Sequence, residues 1–163
     1  MKRIGLMSDT HSYLDPKIFD YFESCDEIWH AGDIGTLEVA QKLAAFKPLR
    51  AVWGNIDENT SVQYEFEEDL RFEIEGVDVF MTHIGGYPGR YNARVKKILT
   101  QQPPKLFICG HSHILKVISD KTLHLLHINP GACGNTGWHK VKTIMRFSVD
   151  NGRIFDAEII ELG

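Results

Sequence analysis

The chain has 163 residues, 43% hydrophobic and 25% charged, which suits one domain over 1–163 burying roughly 68–70% of its unfolded surface. A net charge of −4, with no basic block, argues against strong nucleic-acid binding and leaves a small phosphate ester, held through metals, as an anionic partner. No apolar run reaches membrane-spanning length, and the run after Met1-Lys2-Arg3 stops at Ser8-Asp9, too short for a signal peptide.

Arg3 to Ser8 reads as a buried first strand ending in Asp9-Thr10-His11. Asp15-Pro16 is a helix start, with Asp15 as cap and Ile18, Phe19 and Phe22 as the apolar face. Cys25, the first of three scattered cysteines with Cys109 and Cys133, has no Cys-x-x-Cys partner, so reduced thiols in a cytoplasm are expected. Glu27 to Ala31 is a second strand, ending in Gly32-Asp33. Thr36 is placed to cap a second helix, in which Leu37, Ala40, Leu43 and Ala44 keep helical spacing. Leu49 to Trp53 is a third strand, ending in Gly54-Asn55-Ile56-Asp57. Strands alternating with helices imply a parallel sheet, whose functional groups gather beyond the strands' carboxyl ends. Each Asp, His and Asn of these turns sits at such an end.

The middle changes character. Leu70, Phe72 and Ile74 alternate with polar residues, Glu75-Gly76 turns, and Val77, Val79 and Met81 alternate again, the pattern of a hairpin. It runs into Thr82-His83-Ile84-Gly85. Tyr91, Val95, Ile98 and Leu99 form a helical stripe closed by Pro103-Pro104. Leu106 to Cys109 is a buried strand leaving through Gly110-His111-Ser112-His113. If the backbone stays extended there, His111 and His113 point the same way, serving one metal or one each of two adjacent metals. Leu115–Ile118 with Leu123–Ile128 and Val141–Val149 with Arg153–Ile160 complete two further hairpins, the first followed by Asn129-Pro130-Gly131 and the second turning at Asp150-Asn151-Gly152. Two packed sheets with helices outside account for this order. Exposed apolar hairpins point to a homo-oligomer.

The loop-borne groups are Asp9, His11, Asp33, Asn55, His83, His111 and His113. Mixed nitrogen and oxygen donors without a thiolate suit manganese, iron, nickel or zinc better than calcium. Seven donors exceed what one catalytic ion with an open position takes. Two ions about 3.5–4 Å apart, sharing one carboxylate, would use them all.

Asp9-x-His11, Gly32-Asp33, Gly54-Asn55-x-Asp57, His83 and Gly110-His111-x-His113, in that order, resemble the five motifs of calcineurin-like metallophosphoesterases, and specifically the short bacterial and archaeal phosphodiesterase branch. The resemblance implies a four-layer α/β/β/α sandwich. It implies one metal held by Asp9, His11, Asp33 and His113 and another by Asp33, Asn55, His83 and His111, with manganese the first expectation and nickel, iron or zinc the others. It also implies hydrolysis of a phosphodiester by a metal-bridging hydroxide attacking phosphorus in line. Ile56 departs from the pattern, since many relatives carry there a histidine that protonates the leaving oxygen. General acid help is worth ~10²–10⁴-fold, so esters with good leaving groups are expected to be favoured. Thr82 and Ile84 replace flanking glycines of many relatives. The same fold resembles the retromer scaffold subunit of eukaryotes, where binding replaces hydrolysis, and a monoesterase or a cyclic-nucleotide enzyme on the same centre is a further alternative.

Blander readings stand beside these. Asp9 and Asp33 are also placed to cap helices, Asn55 to make a turn, and Asp57 to orient a neighbour. His30, two residues from Gly32-Asp33, is either a proton donor to the leaving group or a packed strand histidine. His124 and His127 are expected on a sheet surface, and His139 lies in a Gly/Trp loop. Cys133 is a nucleophile candidate only if paired with histidine. Asn129 is a candidate substrate contact, as are Tyr87, Arg90 and Tyr91.

Overall fold

A computed structural model describes residues 1–163. In chain order its elements are β1 (Lys2–Met7), α1 (Lys17–Phe22), β2 (Glu27–His30), α2 (Leu37–Phe46), β3 (Leu49–Ala51), a 3₁₀ turn (Asn55–Asp57), α3 (Ser61–Glu65), β4 (Asp69–Ile74) and β5 (Val77–Thr82). There follow β6 (Gly86–Tyr87), β7 (Arg90–Tyr91), α4 (Ala93–Gln101), β8 (Leu106–Ile108), β9 (Lys116–Asp120), β10 (Leu125–Asn129), β11 (Thr143–Asp150) and β12 (Arg153–Glu161).

The strands form two mixed five-stranded sheets, ordered β12-β11-β1-β2-β3 and β4-β5-β8-β10-β9. β1, β2 and β3 run parallel, as do β5, β8 and β10, while β4, β9, β11 and β12 pair antiparallel. Between the sheets lies a core built from alternate residues of each: Ile4, Leu6, Trp29, Met145 and Phe147 from one, Val77, Val79, Met81, Leu106 and Ile108 from the other. The opposite face of the first sheet packs Ile28 under Ile18 and Phe22 of α1 and Val39 and Leu43 of α2. The opposite face of the second packs Phe80 and Phe107 under Val95 and Leu99 of α4. Strands covered on both faces lose the apolar–polar alternation, which is why β8 reads as a continuous apolar run and all four residues of β2 are buried. The layers are α/β/β/α, the expected sandwich.

Two hairpins turn on two residues, Glu75-Gly76 and Asn151-Gly152, all four at positive φ, the signature of tight turns matched to strand twist. Asp15 Oδ1 accepts the Lys17 N–H at 3.0 Å, so the expected carboxylate cap is present. Thr36 stands at the start of α2 without a side-chain cap bond, contrary to expectation. Tyr91 is in β7 and not in the helix; the cap of α4 is Asn92, which accepts from Arg94 and Val95. Tyr91 mimics the helical stripe because its ring packs on Phe107 from the preceding turn. No helix is long and apolar enough to cross a membrane.

Candidate metal centre

Asp9 follows β1, Asp33 follows β2, Asn55 opens the turn after β3, His83 follows β5, and His111 and His113 follow β8. The carboxyl ends of these five strands therefore converge at one edge of the two central parallel ladders. The loops are stitched directly: Asp9 N–H donates to Gly32 O (2.9 Å), His11 N–H to Asp33 O (3.0 Å) and Gly110 N–H to His83 O (3.0 Å). Asp9, His11, Asp33, His111 and His113 all adopt positive φ between 47° and 70°. That conformation is uncommon outside glycine, and its clustering marks a site where local strain is held by the surroundings. It also corrects the extended reading of Gly110–His113: β8 stops at Ile108, and the two imidazoles diverge.

Their divergence sorts the donors into two groups. Ligating atoms of Asp9, His11 and His113 lie within 4.8 Å of one another, and so do those of Asp33, His83 and His111. Asp33 faces both groups, with Oδ2 3.2 Å from His11 Nε2 and Oδ1 3.2 Å from His83 Nε2. Asp9 Oδ1 is 3.2 Å from His113 Nε2, and Asn55 Oδ1 is 3.1 Å from His111 Nδ1. Two donors on one ion at bonds of about 2.1 Å sit roughly 3.0–3.5 Å apart, a range into which these spacings fall.

The polar accounting points the same way. Asp9 Oδ1, His11 Nε2 and His83 Nε2 are buried with no hydrogen bond of proper geometry, although each is aimed into this space. Asp9 and Asp33 are 0% and 2% exposed, and neither is paired with a Lys or Arg. Burial opposes ionisation of Asp9, yet contacts from His11, His113, His83 and Ser8 outweigh it and hold the carboxyl far below the usual range. For Asp33, burial is likewise outweighed, by His83 and the Ile56 N–H, and its carboxyl is also lowered. Buried carboxylates that stay ionised need a positive partner, and divalent cations fit these residues.

Neighbours fix the donors. Ser8 Oγ–H (2.6 Å) and the His111 N–H (3.1 Å) both go to Asp9 Oδ2, leaving Oδ1 for the shared space. His83 donates Nδ1–H to Ala31 O at 2.7 Å, which sets the tautomer with a free Nε2 lone pair. Asp57 accepts from Ile34 N–H (3.0 Å), Gly35 N–H (2.8 Å) and Gly54 N–H (2.8 Å), binding the Asp33 loop to the Asn55 loop. A Cβ on Gly54 would lie 2.2 Å from Asp33 Oδ1, and one on Gly110 2.1 Å from Ser8 Oγ. The motif glycines are there because the carboxylates occupy that volume.

The model of the calcineurin-like phosphoesterase superfamily domain matches residues 1–152. The chain belongs to that superfamily. Among similar proteins of this metallophosphoesterase kind is a probable metallophosphoesterase of Methanothermobacter thermautotrophicus, 29% identical over 167 residues, covering 98% of this chain and 92% of that protein. A solved archaeal phosphodiesterase superposes with a TM-score of 0.74 at 23% identity, covering 98% and 99% of the two chains. Vps29 of Entamoeba histolytica, solved with zinc, superposes with a TM-score of 0.71 at 16% identity and 99% coverage of each.

Other sequence expectations fare differently in this member of the superfamily. His30 is fully buried; Nδ1 accepts the Gly32 N–H at 3.1 Å, Nε2 meets Thr10 Oγ1 at 3.1 Å, and burial pushes its pKa down to about 4. It is packed within its strand, with both ring nitrogens engaged inside the fold. Asn129 is 2% exposed and spends its Nδ2 on Gly110 O (3.0 Å) and Ser112 Oγ (3.1 Å), holding the Gly-His-Ser-His turn and leaving that amide no donor for substrate. Cys133 is fully buried, its thiol bonded to Ser8 O and pushed up to about 12, which removes it as a nucleophile. His124 is in the exposed β9–β10 turn, while His127 is buried against Phe107 and not on a surface. Ile56 is 38% exposed beside the centre and carries only a backbone donor, to Asp33 Oδ1. His139, given no role by the sequence, touches His113 at 3.1 Å.

Proposed function

We propose that this chain is a phosphodiesterase operating with two divalent cations, manganese foremost. The observation that carries the reading is Asp33, whose two oxygens each stand 3.2 Å from a histidine of a different donor group. Asp9, His11, Asp33 and His113 would hold one ion, and Asp33, Asn55, His83 and His111 the other. When bound, the pair supplies Lewis acidity toward the phosphate and an acidified water as nucleophile.

The protein's own contribution is positional. Asp33 and Asp9 fix the charge, and Ala31 O and His139 present their histidines with the ligating nitrogen bare. Ile56 transfers no proton, so the departing oxygen leaves as an anion or takes its proton from solvent. Substrates with acidic leaving groups therefore suit the centre, and diesters are favoured by the resemblance to phosphodiesterases. All three thiols are buried and free, in keeping with a reducing cytoplasm.

Manganese-loaded protein is expected to release nitrophenolate from bis(4-nitrophenyl) phosphate faster than from 4-nitrophenyl phosphate, and the Asp33→Asn variant to lose this activity. Inactivity with manganese, nickel, iron and zinc in a folded protein would overturn the reading. It would favour a binding scaffold, the alternative to which Ile56 lends weight. Faster release from the monoester would instead assign a monoesterase.

A further inference from the structure

The centre is flanked by two clefts of opposite electrostatic character. On the His83 side, a cleft of about 240 Å³ is lined by Glu58, Glu68 and Arg94, and Arg94 is already paired with Asp69 at 2.7 Å. On the His111 side, a cleft of about 300 Å³ includes Tyr87, Arg90 and Lys116 and no carboxylate at all. Lys116 Nζ stands 4.6 Å over the Tyr87 ring, and Tyr87 is paired in register with Arg90 across the β6–β7 hairpin. Arg90 also lines a second groove, of about 630 Å³, with Lys96 and Lys121. None of the four cations forms an ion pair. The one carboxylate of that groove, Asp120, is already engaged. Its Oδ2 accepts the Tyr91 hydroxyl at 2.6 Å, and its Oδ1 accepts N–H groups of Thr122 and Leu123 at 2.9 and 3.0 Å.

We propose that Lys116, Arg90, Lys96 and Lys121 form a track, beginning beside His111, for a further phosphate group carried by the substrate beyond the scissile one. The proposal rests on the phosphodiesterase reading of the centre and deepens it, replacing a singly charged ester with a substrate of at least two phosphates. In a chain of net charge −4, four unpaired cations along one route from the donor cluster give local attraction that the overall charge hides. Asp120 keeps its charge but is held by Tyr91 and by backbone N–H groups and pairs with none of the cations, so the groove carries three cations against one carboxylate. The opposite flank, acidic and without a free cation, sets the direction in which the phosphates lie. A nucleotide with a terminal phosphate and a short single-stranded oligonucleotide both carry this chemistry.

The test compares thymidine 5′-(4-nitrophenyl phosphate) with the same ester bearing a 3′-phosphate, on manganese-loaded protein. The expected result is a kcat/KM preference of about tenfold for the 3′-phosphorylated ester at low salt, weakening at high salt. The R90A/K116A double variant should bring that ratio near one. Because the ratio is taken within each protein, a general loss of activity cancels. A ratio near one in the unaltered protein, or one unchanged by the double variant, overturns the proposal. If neither ester is cleaved, the phosphodiesterase reading fails on its own. Calorimetry of thymidine 3′,5′-bisphosphate binding to metal-free protein then decides the track: binding weakened several-fold by R90A/K116A supports it, and no binding overturns it. In competition with the bisphosphate, a tighter thymidine tetranucleotide assigns the track to an oligonucleotide, and equal binding assigns it to a single further phosphate.

Discussion

The Nδ1 atom of His139 lies 3.1 Å from that of His113. His139 Nε2 is 2.8 Å from Gly134 O and must donate to it, so its Nδ1 carries the lone pair and receives the proton of His113. His113 is thereby fixed with a bare Nε2 facing Asp9 Oδ1. Replacing His139 with Ala is expected to weaken the ion held through His113 by about 10–100-fold, the usual cost of losing a partner behind a ligand. Chelator competition measures it; unchanged affinity would remove His139 from this role.

Asp57 is fully buried and takes three backbone N–H bonds from the segments carrying Asp33 and Asn55. Asp57→Ala leaves those donors unpaired and is expected to cost about 3–5 kcal/mol of stability in urea unfolding of the metal-free protein. A loss below about 1 kcal/mol would show that water replaces the carboxylate.

Gly110→Ala places a methyl group 2.1 Å from Ser8 Oγ and 2.7 Å from Asp9 Oδ2. The variant is expected to fold with lowered stability and to lose ion uptake at the group containing Asp9, read by metal analysis after gel filtration. Full uptake would mean the turn yields without moving the carboxylate.

His127 supplies a pH dependence separate from the centre. It is fully buried against Phe107, with Nε2 unpartnered; burial, with Lys116 adding to it against the Phe107 carbonyl, pushes its pKa to about 4. Between that value and the ordinary value of about 6.5, the unfolded chain binds a proton that the folded chain refuses, so stability falls as pH drops through this window. The contribution is on the order of 3 kcal/mol. His127→Phe should flatten this part of the stability–pH curve, checked by urea unfolding at several pH values; an unchanged slope would contradict the buried neutral state.

Much of the architecture was legible because strands and turns carry local signals. Asp9, Asp33 and His83 could be placed from their positions at strand ends, and Glu75-Gly76 from the alternation on either side. What stayed hidden depends on contacts between distant segments. His127 sits on a strand covered from both sides, where neither periodicity nor neighbours in sequence report depth. Asn129 resembles a loop residue, but its amide closes the turn of Gly110 and Ser112, 17 to 19 residues away. The left-handed backbone at His111 and His113 could not be read because neither is glycine. The support from His139 spans 26 residues and belongs to no motif. Asn92 was open to reading as a cap, being followed by a helical stripe, but Tyr91 beside it kept the same period.

Asp33 as the shared carboxylate is tested most directly by counting ions. Protein equilibrated with manganese and freed of excess should hold two ions per chain, and the Asp33→Asn variant one or fewer, with circular dichroism unchanged. An unaltered protein that retains none, or a variant that still holds both, would contradict the paired centre.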